Sequence, residues 1–433
     1  MERFLQAVTT AETVAVVVSN VVPLVGIVGL GWSPSVVLGI YAAELGAICL
    51  WSLVKIPFAR KRPNNYLKRT LNDPGRFELL GPLQAKRGAT PLPGPLPPVY
   101  VRNLPTFVSG LVVAPAAFGL GFVLFALTRP TITEAAAGAL LFGTASVFVS
   151  RGIEVWSQYF RGNGYRRHSP RSVLLTPFRH LIVVGSVFAL FAGLETISSG
   201  PVLTPYSSVL LLVAGKFGYD LRTLWIDRDE NRRGLFAKLY GSERTEIDPE
   251  QVTTPDRAPE TAISMRRPHA LADALAAGSR YLVGAPGLFA AAILFVGVLA
   301  ESSRIVLAGV GVALTLAGVR AATRYLRYGT LEYRCYDDLL VVYDRLLDEP
   351  QAKTFARTVA DVTVSKGWLD RMIGTETIRF EADDDTDLPM ELFVPDPENV
   401  DTADRANRSA SVTLPHVQNT DPILDRVDFD RRR

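Results

Sequence analysis

The chain has 433 residues, 48% of them apolar and 21% charged, with a mean hydropathy of +0.19 and a formal net charge of +3. The charges are gathered between long apolar runs, which excludes a soluble enzyme and points to a chain threaded repeatedly through a lipid bilayer. Nucleic acid is not an expected partner.

In chain order, eight runs approach the roughly 20 residues that a helix needs to cross the hydrocarbon core. They are Thr13–Leu30, Ser35–Ile56, Pro105–Leu127, Thr131–Ser150, His180–Ile197, Leu203–Tyr219, Tyr281–Ala300 and Arg304–Ala322. The first and sixth are short or carry Pro and polar residues. Re-entrant or interfacial segments there would reduce the full spans to seven or six. No run alternates strictly, as barrel strands do. Met1 to Ala11 has neither a basic start nor a small-residue cleavage site, so the first run reads as an uncleaved anchor.

Lys and Arg fall on alternate loops: Arg60 to Arg102, Arg151 to Arg179, and Arg222 to Arg267. The intervening turns, Gly31–Pro34, Thr128–Pro130, Ser198–Pro201 and Glu301–Ser303, hold almost none. Positive loops stay on the cytoplasmic side, so a multi-pass protein of the cell membrane with both termini cytoplasmic is expected. Leu80–Pro105 carries six prolines between Pro82 and Pro98 and reads as a stiff extended spacer, or as a ligand for a partner's aromatic groove. Ser242–Arg267 has no periodicity and reads as a mobile linker. The two cysteines, Cys49 and Cys335, are expected to be buried and reduced.

After the eighth run the period changes to that of strands. Leu331–Tyr336, Leu339–Tyr343, Thr358–Val364, Glu376–Phe380 and Met390–Val394 alternate aromatic or β-branched residues with polar ones, separated by Asp-rich turns. Asp396–Arg408 reads as a short closing helix. The organisation is therefore an N-terminal membrane domain over 1–233 with about six helices and a linker over 234–278. A transmembrane helix pair follows over 279–322, then a β domain over 330–407 and a polar tail over 408–433 expected to be disordered. The fold class is an α-helical polytopic membrane protein of about eight transmembrane helices with a small C-terminal cytoplasmic antiparallel β domain.

Tyr333 to Val342, Val359 to Val364, Trp368-Leu-Asp-Arg-Met-Ile-Gly374 and Thr377 to Phe380, behind a pair of hydrophobic helices, resemble the prokaryotic membrane-anchored PH-like domain family. The resemblance runs from Thr330 to Asn407. It implies a strongly bent sheet capped by a helix, acting as a membrane-associated interaction module with no catalytic residues to carry over. From Thr330 onward there are about 23 Asp and Glu against about 13 Lys and Arg. Such a surface repels anionic headgroups, which disfavours phosphoinositide binding and favours a protein partner or docking on the chain's own basic loops. It also suits a high-salt cytosol. Asn20-Val-Val-Pro23, Gly26, Gly31-Trp32, Tyr41 and Glu44, with Lys216 and Asp220-Leu221 downstream, resemble an uncharacterised prokaryotic multi-span membrane family, a domain of unknown function. That resemblance covers Asn20 to about Arg233 and brings no activity.

The candidate site is intramembrane. Glu44 lies amid apolar neighbours, where a carboxylate must be paired or protonated, and Lys216 and Asp220 stand four apart on one helix face. Asn20, Tyr41, Glu44, Lys216 and Asp220 form either a network that binds a proton, ion or small solute, or an ion pair that fixes helix packing. Glu195 is placed nearer the end of its span. The histidines His168, His180, His269 and His416 make no zinc-protease spacing, and neither a nucleophile elbow nor a phosphate-binding loop occurs. No enzyme activity, metal or cofactor is expected. The bilayer is the first partner, and a cytoplasmic or membrane protein is the second.

Overall fold

The computed structural model describes residues 11–61, 80, 83, 86–127, 133–182, 185, 205–227, 252, 254–337, 339–355, 359–382, 411–421 and 423–424. The chain forms two compact units. One comprises Met1–Lys68, Pro91–Val99 and Thr106–Pro249; the other comprises Arg69–Thr90, Tyr100–Pro105 and Glu250–Arg433.

In the first unit the helices are α1 (Ala11–Gly29), α2 (Pro34–Lys55), α3 (Leu104–Leu127, its first two residues apart), α4 (Glu134–Glu154), α5 (Pro170–Leu174) and α6 (Pro205–Asp227). Pro34 occupies the first turn of α2, where its missing N–H costs nothing. α2 is the central element, with α1, α4, α5 and α6 packed on it and Leu45 and Cys49 meeting Ala114 and Ala117 of α3. Without a hydrophobic drive between helices in lipid, small residues let backbones approach. A methyl group on Gly143 of α4 would run into the Ile40 side chain of α2, so alanine there would force Ile40 to shift. The outer helices expose Leu111, Val112, Phe122, Leu141 and Phe142, as lipid-facing surfaces do.

Four helices among the described residues are long and apolar enough to cross a membrane: Pro34–Phe58, Val101–Val123, Ala136–Arg161 and Ser303–Gly329. A fifth arises if Arg267–Tyr281 and Ala285–Leu299, bent by 62°, count as one. The chain is thus a mostly helical membrane protein. Neither α1, of which Asn20–Gly29 counts as a shorter apolar helix, nor α6, with Lys216, Asp220 and Arg222 along it, is among the four. Most of the expected fifth span, Glu195 included, lies outside the described residues.

The second unit contains α7 (Arg267–Tyr281), α8 (Ala285–Leu299), α9 (Ser303–Arg324) and α10 (Trp368–Ile373). Its strands are β1 (Thr261–Ser264), β2 (Leu331–Tyr336), β3 (Leu339–Asp344), β4 (Glu349–Phe355), β5 (Val359–Ser365), β6 (Glu376–Ala382) and β7 (Ser411–Val417). They form two antiparallel sheets, ordered β1-β2-β3-β4 and β5-β6-β7. Alternation sends Leu331, Tyr333 and Cys335 into one core with Val362, Ile378, Phe380, Leu414 and Ile423, so both sheets share it. A π-helical turn, Tyr325–Gly329, carries α9 directly into β2, with Tyr328 in that same core. α10 ends at Gly374 in the left-handed region, φ +70°. Cys49 and Cys335 are both buried and are not joined in a disulfide.

Three expectations need correction. The linker over 234–278 holds β1, paired with β2, and α7, packed on α9. The tail over 408–433 holds β7, with Ile423 and Leu424 buried beside it. Both strands are edge strands, and β7 contains Pro415, tolerated at an edge bulge but a breaker by sequence pattern. The third concerns the Pro-rich segment, expected as a stiff extended spacer, which is tied at Arg87 to β4. Arg87 N–H donates to Gln351 Oε1 at 2.8 Å, and Gln351 Nε2 donates to the Arg87 carbonyl at 3.1 Å. The expected strand Met390–Val394 and helix Asp396–Arg408 lie outside the described residues.

Candidate functional site

All five residues singled out by sequence meet in the first unit. α1 supplies Asn20, α2 supplies Tyr41 and Glu44, and α6 supplies Lys216 and Asp220. One helical turn brings Lys216 Nζ to 2.7 Å from Asp220 Oδ2. The same ammonium lies 3.0 Å from Glu44 Oε1, donates to Asn20 Oδ1 at 3.1 Å, and stands 5.3 Å from the centre of the Tyr41 ring. Asn20 Nδ2 donates to Asp220 Oδ2 at 3.0 Å, so its amide bridges both ends of the Lys216 pair. Glu44 is fully buried, and Lys216 is 1% exposed.

Three further residues complete the cluster. Arg151 donates to Glu44 Oε1 from Nη2 at 2.7 Å and from Nε at 3.2 Å, to Glu154 Oε2 from Nη1 at 2.7 Å, and its Nη2 lies 3.5 Å from Asp220 Oδ2. The sequence reading put Arg151 in a basic loop because the apolar run stops at Ser150. The helix instead continues to Glu154 and into a π-helical segment, Val155–Arg161. Arg151 and Glu154 at i and i+3, followed by Val155 and Trp156, were the legible signal. His180 is buried and interacts electrostatically with Glu44, Lys216, Asp220 and Arg151, its ring 6.4 Å from that of Tyr219.

Glu44 and Asp220 balance Lys216 and Arg151, and the more exposed Glu154 adds a second partner for Arg151. Taking each charge out of water costs several kcal/mol, so the cluster persists because every charge has an opposite within reach. Its hydrogen bonding is incomplete: Tyr41 Oη, Glu44 Oε2 and His180 Nε2 are buried without a hydrogen-bond partner. Among the described residues no group of three or more His, Cys, Asp or Glu could hold a metal ion.

The second unit has its own buried polar links. Lys86 Nζ pairs with Asp344 Oδ2, while Asp344 Oδ1 accepts from the Leu346 N–H at 2.9 Å and the Leu347 N–H at 3.3 Å. Burial pulls the Lys86 ammonium below its ordinary value, with Asp344 only partly offsetting it. This is a basic loop residue docked on the acid-rich C-terminal region. Deeper in, Arg324 of α9 donates from Nε to Asp273 of α7 at 2.7 Å. His416 of β7 reaches Asp273 Oδ1 from Nε2 at 3.0 Å and Asp370 Oδ1 of α10 from Nδ1 at 2.6 Å. Asp370 also accepts from Thr375 and Thr377 and from the Gly367 N–H. Burial alone would favour a neutral His416, but the two carboxylates outweigh it and raise its pKa to about 9. Against its own burial, the same bonds hold Asp370 down at about 2.

Two families match the chain. The family of unknown function (DUF6498) matches residues 2–234, the region that holds the charge network. The Bacterial PH domain matches residues 289–406, which takes in most of α8, all of α9 and strands β2 to β6. No curated protein and no solved structure matches the chain. Its first family covers more than half of its length, and the chain therefore belongs to the DUF6498 family of unknown function, with a bacterial PH domain following in its C-terminal region.

Proposed function

We propose that this protein is a membrane-bound interaction or regulatory module. About eight helices anchor it, both termini are cytoplasmic, and the PH-like domain meets a protein partner at the cytoplasmic face. No catalytic step belongs to this reading. The observation that carries it is the buried chain of Arg324, Asp273, His416 and Asp370, which fastens the β strands to the helices α7 and α9. A partner that displaces a strand of such a domain also moves the helices, whereas a domain on a slack linker transmits nothing. The acidic surface supports a protein with basic groups over an anionic lipid, and Lys86 against Asp344 is an example of the group it accepts.

The test is affinity purification of the full chain from its native membranes beside a chain ending at Gly329. A specific protein retained only by the full chain is the expected result; identical sets of retained proteins would overturn the reading. Thiol labelling of cysteines placed at each terminus tests the topology, and labelling from outside intact cells would contradict it.

A second reading, a transporter or channel, is favoured by the four buried charges of the first unit, since intramembrane ionisable groups commonly line proton or solute pathways. Proton or solute flux into proteoliposomes, lost in Glu44→Gln, is its test.

A further inference from the structure

The charge network leaves three polar atoms with nothing to bond: Tyr41 Oη, Glu44 Oε2 and His180 Nε2. Tyr41 is 4% exposed, His180 6%, and Glu44 not at all, so bulk water does not serve them. Tyr41 and Glu44 stand three apart on α2 and share a face. Glu44 and Tyr41 both face Lys216, whose Nζ lies 3.0 Å from Glu44 Oε1 and 5.3 Å from the centre of the Tyr41 ring, and His180 interacts electrostatically with Glu44 and Lys216. Buried polar groups are almost always bonded to protein or to ordered water, and three atoms of this one charged cluster are not bonded to protein.

Charge selects the occupant. A metal cation would meet Lys216 and Arg151 as closely as the carboxylates, and an anion Glu44 and Asp220 as closely as the cations; the four charges already balance, so neither ion gains a net attraction. What fits is a neutral molecule that donates to Glu44 Oε2 and exchanges hydrogen bonds with a hydroxyl and an imidazole, each able to donate or accept. We propose that Tyr41 Oη, Glu44 Oε2 and His180 Nε2 hold a small uncharged hydrogen-bonding molecule inside the first unit, either ordered water or a polar solute of the same chemistry. The inference deepens the transporter reading but does not require flux.

Tyr41→Phe in the full detergent-solubilised chain decides it. A hydroxyl with no partner is a liability, so deleting it would leave the melting temperature unchanged or raise it. A hydroxyl bonded to an occupant is an asset, and its deletion lowers the melting temperature by roughly 2–4 °C. A fall is the expected result; no change or a rise overturns the inference. Exhaustive exchange into solute-free buffer separates the sources. Water leaves the difference between wild type and variant intact, whereas loss of a solute abolishes it. Should the variant not fold, density in the wild-type map within hydrogen-bond distance of all three atoms supports the site, and its absence overturns it. An occupied site without flux sinks only the transporter reading, and an empty one sinks this inference whatever the flux.

Discussion

Arg151 places two nitrogens on a single oxygen of Glu44, Nη2 at 2.7 Å and Nε at 3.2 Å, and that same oxygen lies 3.0 Å from Lys216 Nζ. One carboxylate oxygen therefore joins α2, α4 and α6. In a low-dielectric interior such a junction is costly to assemble and costlier to break on one side.

Glu44→Ala should leave Lys216 with Asp220 as its carboxylate partner and Arg151 with Asp220 and the more exposed Glu154, and lower stability by about 3–5 kcal/mol. Glu134→Ala, on the exposed start of α4, should change it by less than about 0.5 kcal/mol. Thermal melts in one detergent compare the two; equal effects would remove the network as a structural element.

His416 predicts a pH dependence of definite sign. Its folded pKa of about 9 exceeds the ordinary 6.5, so its contribution is complete below about pH 6.5 and is lost as pH rises through about 9. The shift corresponds to about 3 kcal/mol. Asp370, held at about 2, acts oppositely: its contribution is present above its ordinary value and fades as pH falls towards 2. Melting of the wild type should decline between pH 6.5 and 9.5 more steeply than that of His416→Gln. Parallel profiles would contradict the assignment.

Gln351→Leu should release residues 86–88 from β4, since one side chain makes both bonds to the Arg87 backbone. The expected loss is about 1–3 kcal/mol. Hydrogen exchange at the Arg87 amide reports it directly, and unchanged protection would show that Lys86 and Asp344 suffice.

Gly278→Ala and Gly311→Ala should differ in sign. A methyl group on Gly278 of α7 would stand 2.6 Å from the backbone oxygen of Ala317 on α9, and backbone cannot swing away. Overpacking there should cost about 1–3 kcal/mol. Gly311 of α9 has nothing within 4 Å, and alanine should be neutral or add up to about 1 kcal/mol through helix propensity. The relative melting temperatures of the two variants check this.

The sequence by itself determined that the chain is a helical membrane protein ending in an antiparallel β region, because lipid demands long apolar helices and a half-buried sheet demands alternation. It also picked out Asn20, Tyr41, Glu44, Lys216 and Asp220, since a polar residue amid apolar ones needs a partner and so announces itself. Their actual partners were decided only in three dimensions. Arg151 looked like a loop charge and His180 like the edge of a span, because what pairs with Glu44 comes from segments more than a hundred residues away. The same holds for β1 and β7, edge strands held by the neighbour each pairs with and by Ile263 of the one and Leu414 and Val417 of the other packing in the shared core. A four-residue strand and a strand with an internal proline carry too little local preference to be legible alone, and become strands because a partner edge and a shared core are already in place.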